Sequence, residues 1–106
     1  MVSISCEIDC KGISEMRLNN ECLIVVKKIP DQESVVRFKI IGKSITTAKD
    51  TVFNEQNRWF CLFYDRIAEG DTIIKRKGEL TFNIHKKDTV LSFPWRCNGK
   101  VYTINE

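Results

Sequence analysis

The sequence has no long apolar run and is poor in glycine, proline and histidine. Five glycines and two prolines in 106 residues exclude a collagen-like chain and a flexible linker. No stretch approaches the ~18 consecutive apolar residues that a membrane helix requires, so we expect no membrane segment. Apolar residues make up 42% and charged residues 29%, which is typical of a folded chain. The length predicts one domain spanning residues 1–106.

The amino-terminal residues lack the features of a secretory signal. No basic start precedes an apolar run, and the acidic residue Glu7 comes early. The cysteines number five, an odd count that is unusual for a secreted disulfide scaffold. They are Cys6, Cys10, Cys22, Cys61 and Cys97. We predict a cytoplasmic protein with reduced thiols; the alternative is a mature secreted domain to which Met1 was added.

Apolar and polar residues alternate along much of the chain, with the two-residue period of half-buried strands. Between Val2 and Cys10 every second residue is apolar, which predicts a first strand. Further strands are predicted within residues 16–29, 36–40, 58–64, 72–76, 80–85 and 90–93. Short strands at this spacing, with almost no helical period, predict an all-β domain. It would be an antiparallel β-sandwich or small barrel of about seven to nine strands.

The clearest local signal is Asn98-Gly99, which favours a type I′ hairpin turn because both positions need a positive φ. This turn sets a register whose facing pairs are Cys97 with Lys100, Arg96 with Val101, Trp95 with Tyr102 and Phe93 with Ile104. The side chains at 93, 95, 102 and 104 would then share one apolar face. Pro94 has no backbone N–H, which predicts a strand at a sheet edge or a bulge.

Metal and catalytic chemistry find little support in the sequence. Cys6 and Cys10 would lie about 13 Å apart on one strand, too far to share a zinc ion. The only histidine, His85, falls on the predicted solvent face beside two lysines. There is no glycine-rich phosphate loop, and the acidic residues are scattered. We therefore predict a protein that is not an enzyme and has no metal or cofactor.

Charge is distributed unevenly along the chain. Residues 1–26 hold four acids and two bases, whereas residues 73–100 hold seven bases and two acids. Basic residues near aromatic ones are typical of proteins that bind single-stranded nucleic acid. A nucleic-acid-binding β-barrel is therefore one alternative, and its contact residues would be Lys75, Arg76, Lys77, Lys86 and Lys87.

The segment Arg58–Tyr64 is apolar on both faces of its predicted strand. One face fits a core, and the other must be covered internally or presented to a partner. A second alternative is therefore an accessory domain of a larger assembly that associates through this patch.

The main hypothesis is a small protein that acts by binding another protein. In size and fold class the chain resembles immunity and inhibitor proteins, which neutralise a toxin or enzyme by covering its active site. The predicted contact residues are Glu7 and Asp9 on the acidic strand, and Trp95, Arg96 and Tyr102 on the hairpin.

Overall fold

A computed structural model describes residues 9–102, and this part of the chain is mostly β. Its helices are α1 (Cys10–Asn19) and α2 (Arg58–Cys61), with a 3-10 turn at Tyr64–Arg66. Its eight strands are β1 (Cys22–Lys28), β2 (Arg37–Ser44), β3 (Asp50–Gln56), β4 (Thr72–Lys75), β5 (Thr81–His85), β6 (Val90–Pro94), β7 (Arg96–Cys97) and β8 (Lys100–Val101). The predicted all-β class is confirmed. No helix within residues 9–102 is long and apolar enough to span a membrane.

Six strands form one antiparallel sheet in the order β3-β2-β1-β4-β5-β6. β7 and β8 form a separate two-stranded hairpin. β6 is an edge strand, as Pro94 predicted, and Pro94 faces Thr81 of β5. Phe93 faces Phe82 in the same ladder. Its predicted partner Ile104 lies outside the described residues.

The hydrophobic core lies on one face of the sheet. Alternate residues of the central strands are buried there, among them Ile24, Phe38 and Phe82. α2 packs on this face through Phe60, whose ring centroid lies 4.9 Å from that of Phe82 and 5.4 Å from that of Phe38. Edge-to-face and offset aromatic contacts of this kind add to the stability that burial provides.

The prediction of a strand over Arg58–Tyr64 is wrong, because this segment forms α2 and then the 3-10 turn. Asn57 caps α2, and its side-chain Oδ1 accepts a hydrogen bond from the backbone N–H of Phe60 at 2.9 Å. The helical turn buries Trp59 and Phe60 together, while Leu62 stays 70% exposed. Trp59 and Phe60 would point to opposite faces of a strand, but in this helical turn both are buried.

The first predicted strand, Val2–Cys10, lies outside the described residues except at its end. There the prediction is wrong, because Cys10 begins α1. Asp9 caps this helix through a hydrogen bond from the N–H of Gly12 to its Oδ1 at 3.0 Å. The strand predicted within 16–29 is confirmed as β1, although residues 16–19 belong to α1. β3 was not predicted.

β2 also extends beyond its predicted range of residues 36–40 and includes Gly42. At this position the neighbouring strand comes so close that an added Cβ would lie 2.0 Å from the carbonyl oxygen of Val25. The glycine therefore allows close backbone approach inside the sheet.

The terminal hairpin forms in the predicted register, with two facing pairs, Cys97 with Lys100 and Arg96 with Val101. Asn98 and Gly99 have φ values of 55° and 79°, as a type I′ turn requires. Beyond the ladder, the Tyr102 N–H donates to the Trp95 carbonyl at 3.1 Å, and the two ring centroids are 5.2 Å apart.

A disulfide joins Cys10 at the start of α1 to Cys97 in β7. The prediction that the thiols are reduced is therefore wrong for these two residues. Cys22 and Cys61 are buried and have no disulfide partner among residues 9–102, and burial raises the pKa of both thiols. Cys6 lies outside the described residues. The disulfide therefore holds the hairpin against α1.

Candidate functional site

A groove of about 520 Å³ lies between α1, α2 and the segment from β6 to β7. Its lining consists of Arg17, Val35, Arg58, Trp59, Leu62, Phe63, Ser92, Phe93, Pro94, Trp95 and Arg96. Three of these residues are arginines, one from α1, one from α2 and one from the β6–β7 segment. None of the lining residues within 9–102 is acidic. We call it the arginine groove.

Aromatic side chains form much of the apolar part of the arginine groove. Trp59 and Trp95 are buried, so little of each indole faces solvent. Phe63 stacks on Phe93 with ring centroids 4.3 Å apart. Because these rings are also packed into the core, the apolar lining is held in place before any ligand binds.

Arg17 is the arginine most enclosed by the protein. One terminal nitrogen, Nη1, lies 3.3 Å from Oδ1 of Asn57 and 3.4 Å from Oδ1 of Asn20. The two asparagines are joined by a further hydrogen bond from Nδ2 of Asn57 to Oδ1 of Asn20 at 3.1 Å. Desolvation by partial burial lowers the pKa of the Arg17 guanidinium.

A further feature of Arg17 is its Nε atom. Its Nε is buried and has no hydrogen-bond partner among residues 9–102. A buried N–H without an acceptor costs about 1–3 kcal/mol, and such groups are rare in native proteins. The guanidinium therefore carries a donor that the described protein groups do not satisfy.

Lys75 positions the backbone of Arg17. Lys75 is fully buried, and its Nζ donates to three carbonyl oxygens. These belong to Arg17 at 2.7 Å, Asn20 at 2.6 Å and Arg76 at 2.8 Å. A cation at the carboxyl end of a helix is favoured by the free carbonyls and by the helix dipole. The ammonium group therefore anchors the end of α1 to β4.

The structure brings three of the predicted contact residues together. Trp95 and Arg96 line the arginine groove, and Tyr102 packs against Trp95. Asp9 is exposed but serves as the cap of α1, on a helix and not on a strand. Glu7 lies outside the described residues.

The basic residues of the nucleic-acid alternative are not brought together. Lys75 is buried within the protein, and Lys86 forms an ion pair with Asp71. Arg76 and Lys77 lie in the turn before β5, whereas Lys86 and Lys87 follow its other end. The exposed members of the set, Arg76, Lys77 and Lys87, therefore fall at opposite ends of one strand.

The patch of the oligomer alternative is largely internal. Trp59, Phe60 and Cys61 are buried, which leaves Leu62 as the prominently exposed apolar residue of the segment. His85 is exposed at the end of β5, as predicted. Within residues 9–102 no group of three His, Cys, Asp or Glu side chains is placed to hold a metal ion.

Sequence reasoning missed Arg17 and Arg58. No local pattern places positions 17 and 96 at one groove, since only the fold brings both to it. Position 58 had a usable signal, because Asn57 is a preferred helix cap and the residues after it pack as a helical turn.

No protein-family model matches this chain, and no curated protein and no solved structure matches it. The candidate site is therefore defined by the chain's own geometry.

Proposed function

We propose that this protein is a non-enzymatic module that binds another protein, and that the arginine groove with the adjoining hairpin is its contact surface. The observation that carries the proposal is the lining of the groove, where arginines surround an aromatic floor. Tryptophan, tyrosine and arginine are the residues most enriched among those that dominate protein–protein binding energy.

The edges of the groove support a protein ligand over a small enclosed molecule. Leu62 and Val35 line it and are 70% and 67% exposed. Tyr102 extends the same surface by packing against Trp95. Apolar side chains at an open rim lose water only when a ligand extends beyond the groove itself. An inhibitor or immunity-type role, in which this surface covers the active site of a toxin or enzyme, is the form of the proposal we favour.

A capture experiment with matched variants tests the proposal. Tagged wild-type protein, Leu62→Ser and Arg96→Gln are exposed to lysate of the native host, with and without nuclease, at low and at high salt. Val90→Ser is the control, because Val90 is also exposed, at 48%, but lies outside the groove. Each bait is first shown to unfold with the same midpoint as wild type.

The expected result is a protein that wild type and Val90→Ser retain through high salt and that both groove variants lose. Equal capture by all four baits would place the contact elsewhere and contradict the proposal. Retention of nucleic acid alone, at low salt and only without nuclease, would favour the nucleic-acid alternative, because phosphate contacts weaken steeply with salt.

The place of action is also a proposal. The cytoplasm expected from the sequence agrees poorly with the Cys10–Cys97 disulfide, because cytosolic thiols are kept reduced. We therefore propose an oxidising compartment. Peptide mapping of protein taken from its host under non-reducing conditions tests this. A linked peptide pair containing Cys10 and Cys97 is expected, and finding both thiols free would restore the cytoplasmic prediction.

A further inference from the structure

We infer that the arginine groove recognises an acidic segment of its partner, in which a carboxylate pairs with Arg17 and a neighbouring aromatic or leucine side chain enters the aromatic floor. This inference rests on the proposed function and adds the chemistry of the bound segment. It commits to a polypeptide ligand.

The charge of the groove favours an anionic ligand. Arg17, Arg58 and Arg96 all line it, and none of its lining residues within 9–102 is acidic. A basic segment would be repelled, and an uncharged one would bury the guanidinium groups without pairing them. An acidic segment supplies the missing charge, and complementary potentials also accelerate encounter.

Arg17 is the arginine best placed to hold a carboxylate. Its two bonds to the asparagines are long, at 3.3 and 3.4 Å, compared with about 2.9–3.0 Å for an ordinary N–H···O bond. Its Nε has no partner among the described residues. A small rotation of the guanidinium toward the groove would replace the weak bonds to the asparagines with a bidentate pair to a ligand carboxylate. Arginine favours this geometry.

The aromatic floor of the groove is the reason for expecting an apolar side chain next to the acidic residue of the bound segment. Trp59, Trp95 and the Phe63–Phe93 stack lie along the same groove as the arginines. A carboxylate alone would leave the half-buried Phe63–Phe93 stack uncovered. An aromatic or leucine side chain next to the acid would cover it, and the offset or edge-to-face contacts available there would add specificity.

Selection from a random seven-residue peptide library displayed on phage tests the inference. The library is panned on wild-type protein and on three variants, Arg17→Lys, Arg58→Gln and the control Arg76→Gln. Arg76 is exposed and lies outside the groove. Arg17→Lys keeps the positive charge and removes the fork, so it separates pairing geometry from charge. Urea unfolding establishes that each variant is folded.

Peptides enriched by wild type are expected to carry Asp or Glu next to an aromatic residue or leucine. In fluorescence anisotropy, a selected peptide should bind about tenfold or more tightly than its Asn or Gln twin, since one charged hydrogen-bonded pair is lost. Arg17→Lys and Arg58→Gln should weaken binding, and Arg76→Gln should not.

Enrichment of uncharged or basic peptides, no enrichment, or equal binding of the acid and amide twins would overturn the inference. So would an oligonucleotide that displaces the peptide and binds more tightly, which would identify nucleic acid as the ligand. The proposed function fails separately, when protein capture is unaffected by Leu62→Ser and Arg96→Gln. If capture depends on the groove while acidity proves irrelevant, only the present inference is lost.

Discussion

The Nζ atom of Lys75 donates a hydrogen bond to the carbonyl oxygen of Arg17 at 2.7 Å. A fully buried lysine of the sheet thereby holds the end of the helix that carries a groove arginine. The same ammonium group also binds the carbonyl oxygens of Asn20 and Arg76. The stability of the fold and the position of the candidate site are thus coupled through one side chain.

Replacing Lys75 should destabilise the protein strongly. Lys75→Met keeps the length of the side chain but leaves three carbonyl oxygens without their donor. We expect the free energy of unfolding in urea to fall by about 3 kcal/mol. Lys77→Met is the matched control, because Lys77 is exposed in the following turn, and it should change stability by less than about 0.5 kcal/mol. Equal losses would show that the buried bonds contribute little.

The same lysine predicts a pH dependence. Burial lowers the pKa of Lys75 to about 8, although Glu79 and Glu21 raise it in part. In the unfolded chain its pKa is about 10.4, so between these values the unfolded state binds more protons. The contribution of Lys75 to stability should therefore rise as the pH rises from about 8 toward about 10.

Urea unfolding of wild type and Lys75→Met over this range measures that contribution as a difference. The comparison cancels groups that titrate in both proteins, such as Tyr64, whose pKa burial raises. A difference that falls with rising pH would show that the folded state stabilises the charged lysine more than water does.

Lys75 also shows how much of the fold can be predicted from a sequence pattern. Alternation along Thr72–Lys75 places Lys75 on the same face as Ile73, and that face is buried. The prediction gave more weight to the charge than to the period, and so assigned the lysine to a nucleic-acid surface. The terminal hairpin was predicted in its correct register because Asn98-Gly99 determines that register locally.

The groove could be predicted only in part. Trp95 and Arg96 were proposed as contact residues because both lie on the hairpin that the local signal Asn98-Gly99 predicts. Arg17 was not proposed, because the alternating pattern predicted strands where the structure has α1. The position of α1 also depends on a tertiary contact, from Lys75 of β4 to the carbonyl oxygen of Arg17. The convergence of residues 17, 58 and 96 on one groove depends on tertiary packing, and no window of a single sequence contains that information.

The Cys10–Cys97 disulfide closes a long loop, since the two residues are 87 positions apart. Replacing both with serine should lower the free energy of unfolding by roughly 2–4 kcal/mol, because the unfolded chain gains freedom. Urea unfolding with and without dithiothreitol supplies the control. The reductant should lower the stability of wild type toward that of the double variant and leave the variant unchanged. A wild type that is insensitive to the reductant would contradict the prediction.

Asn57 connects α2 to Arg17 and should matter more than an ordinary helix cap. Its buried Oδ1 accepts from the N–H of Phe60 and from Nη1 of Arg17, and its Nδ2 donates to Asn20. Asn57→Ala removes all three bonds, so we expect a loss of about 2 kcal/mol in urea unfolding. Asn54→Ala is the matched control, because Asn54 is exposed on β3, and it should cost less than about 0.5 kcal/mol. If the two variants lose the same stability, Asn57 does not act as the link between the helices that line the groove.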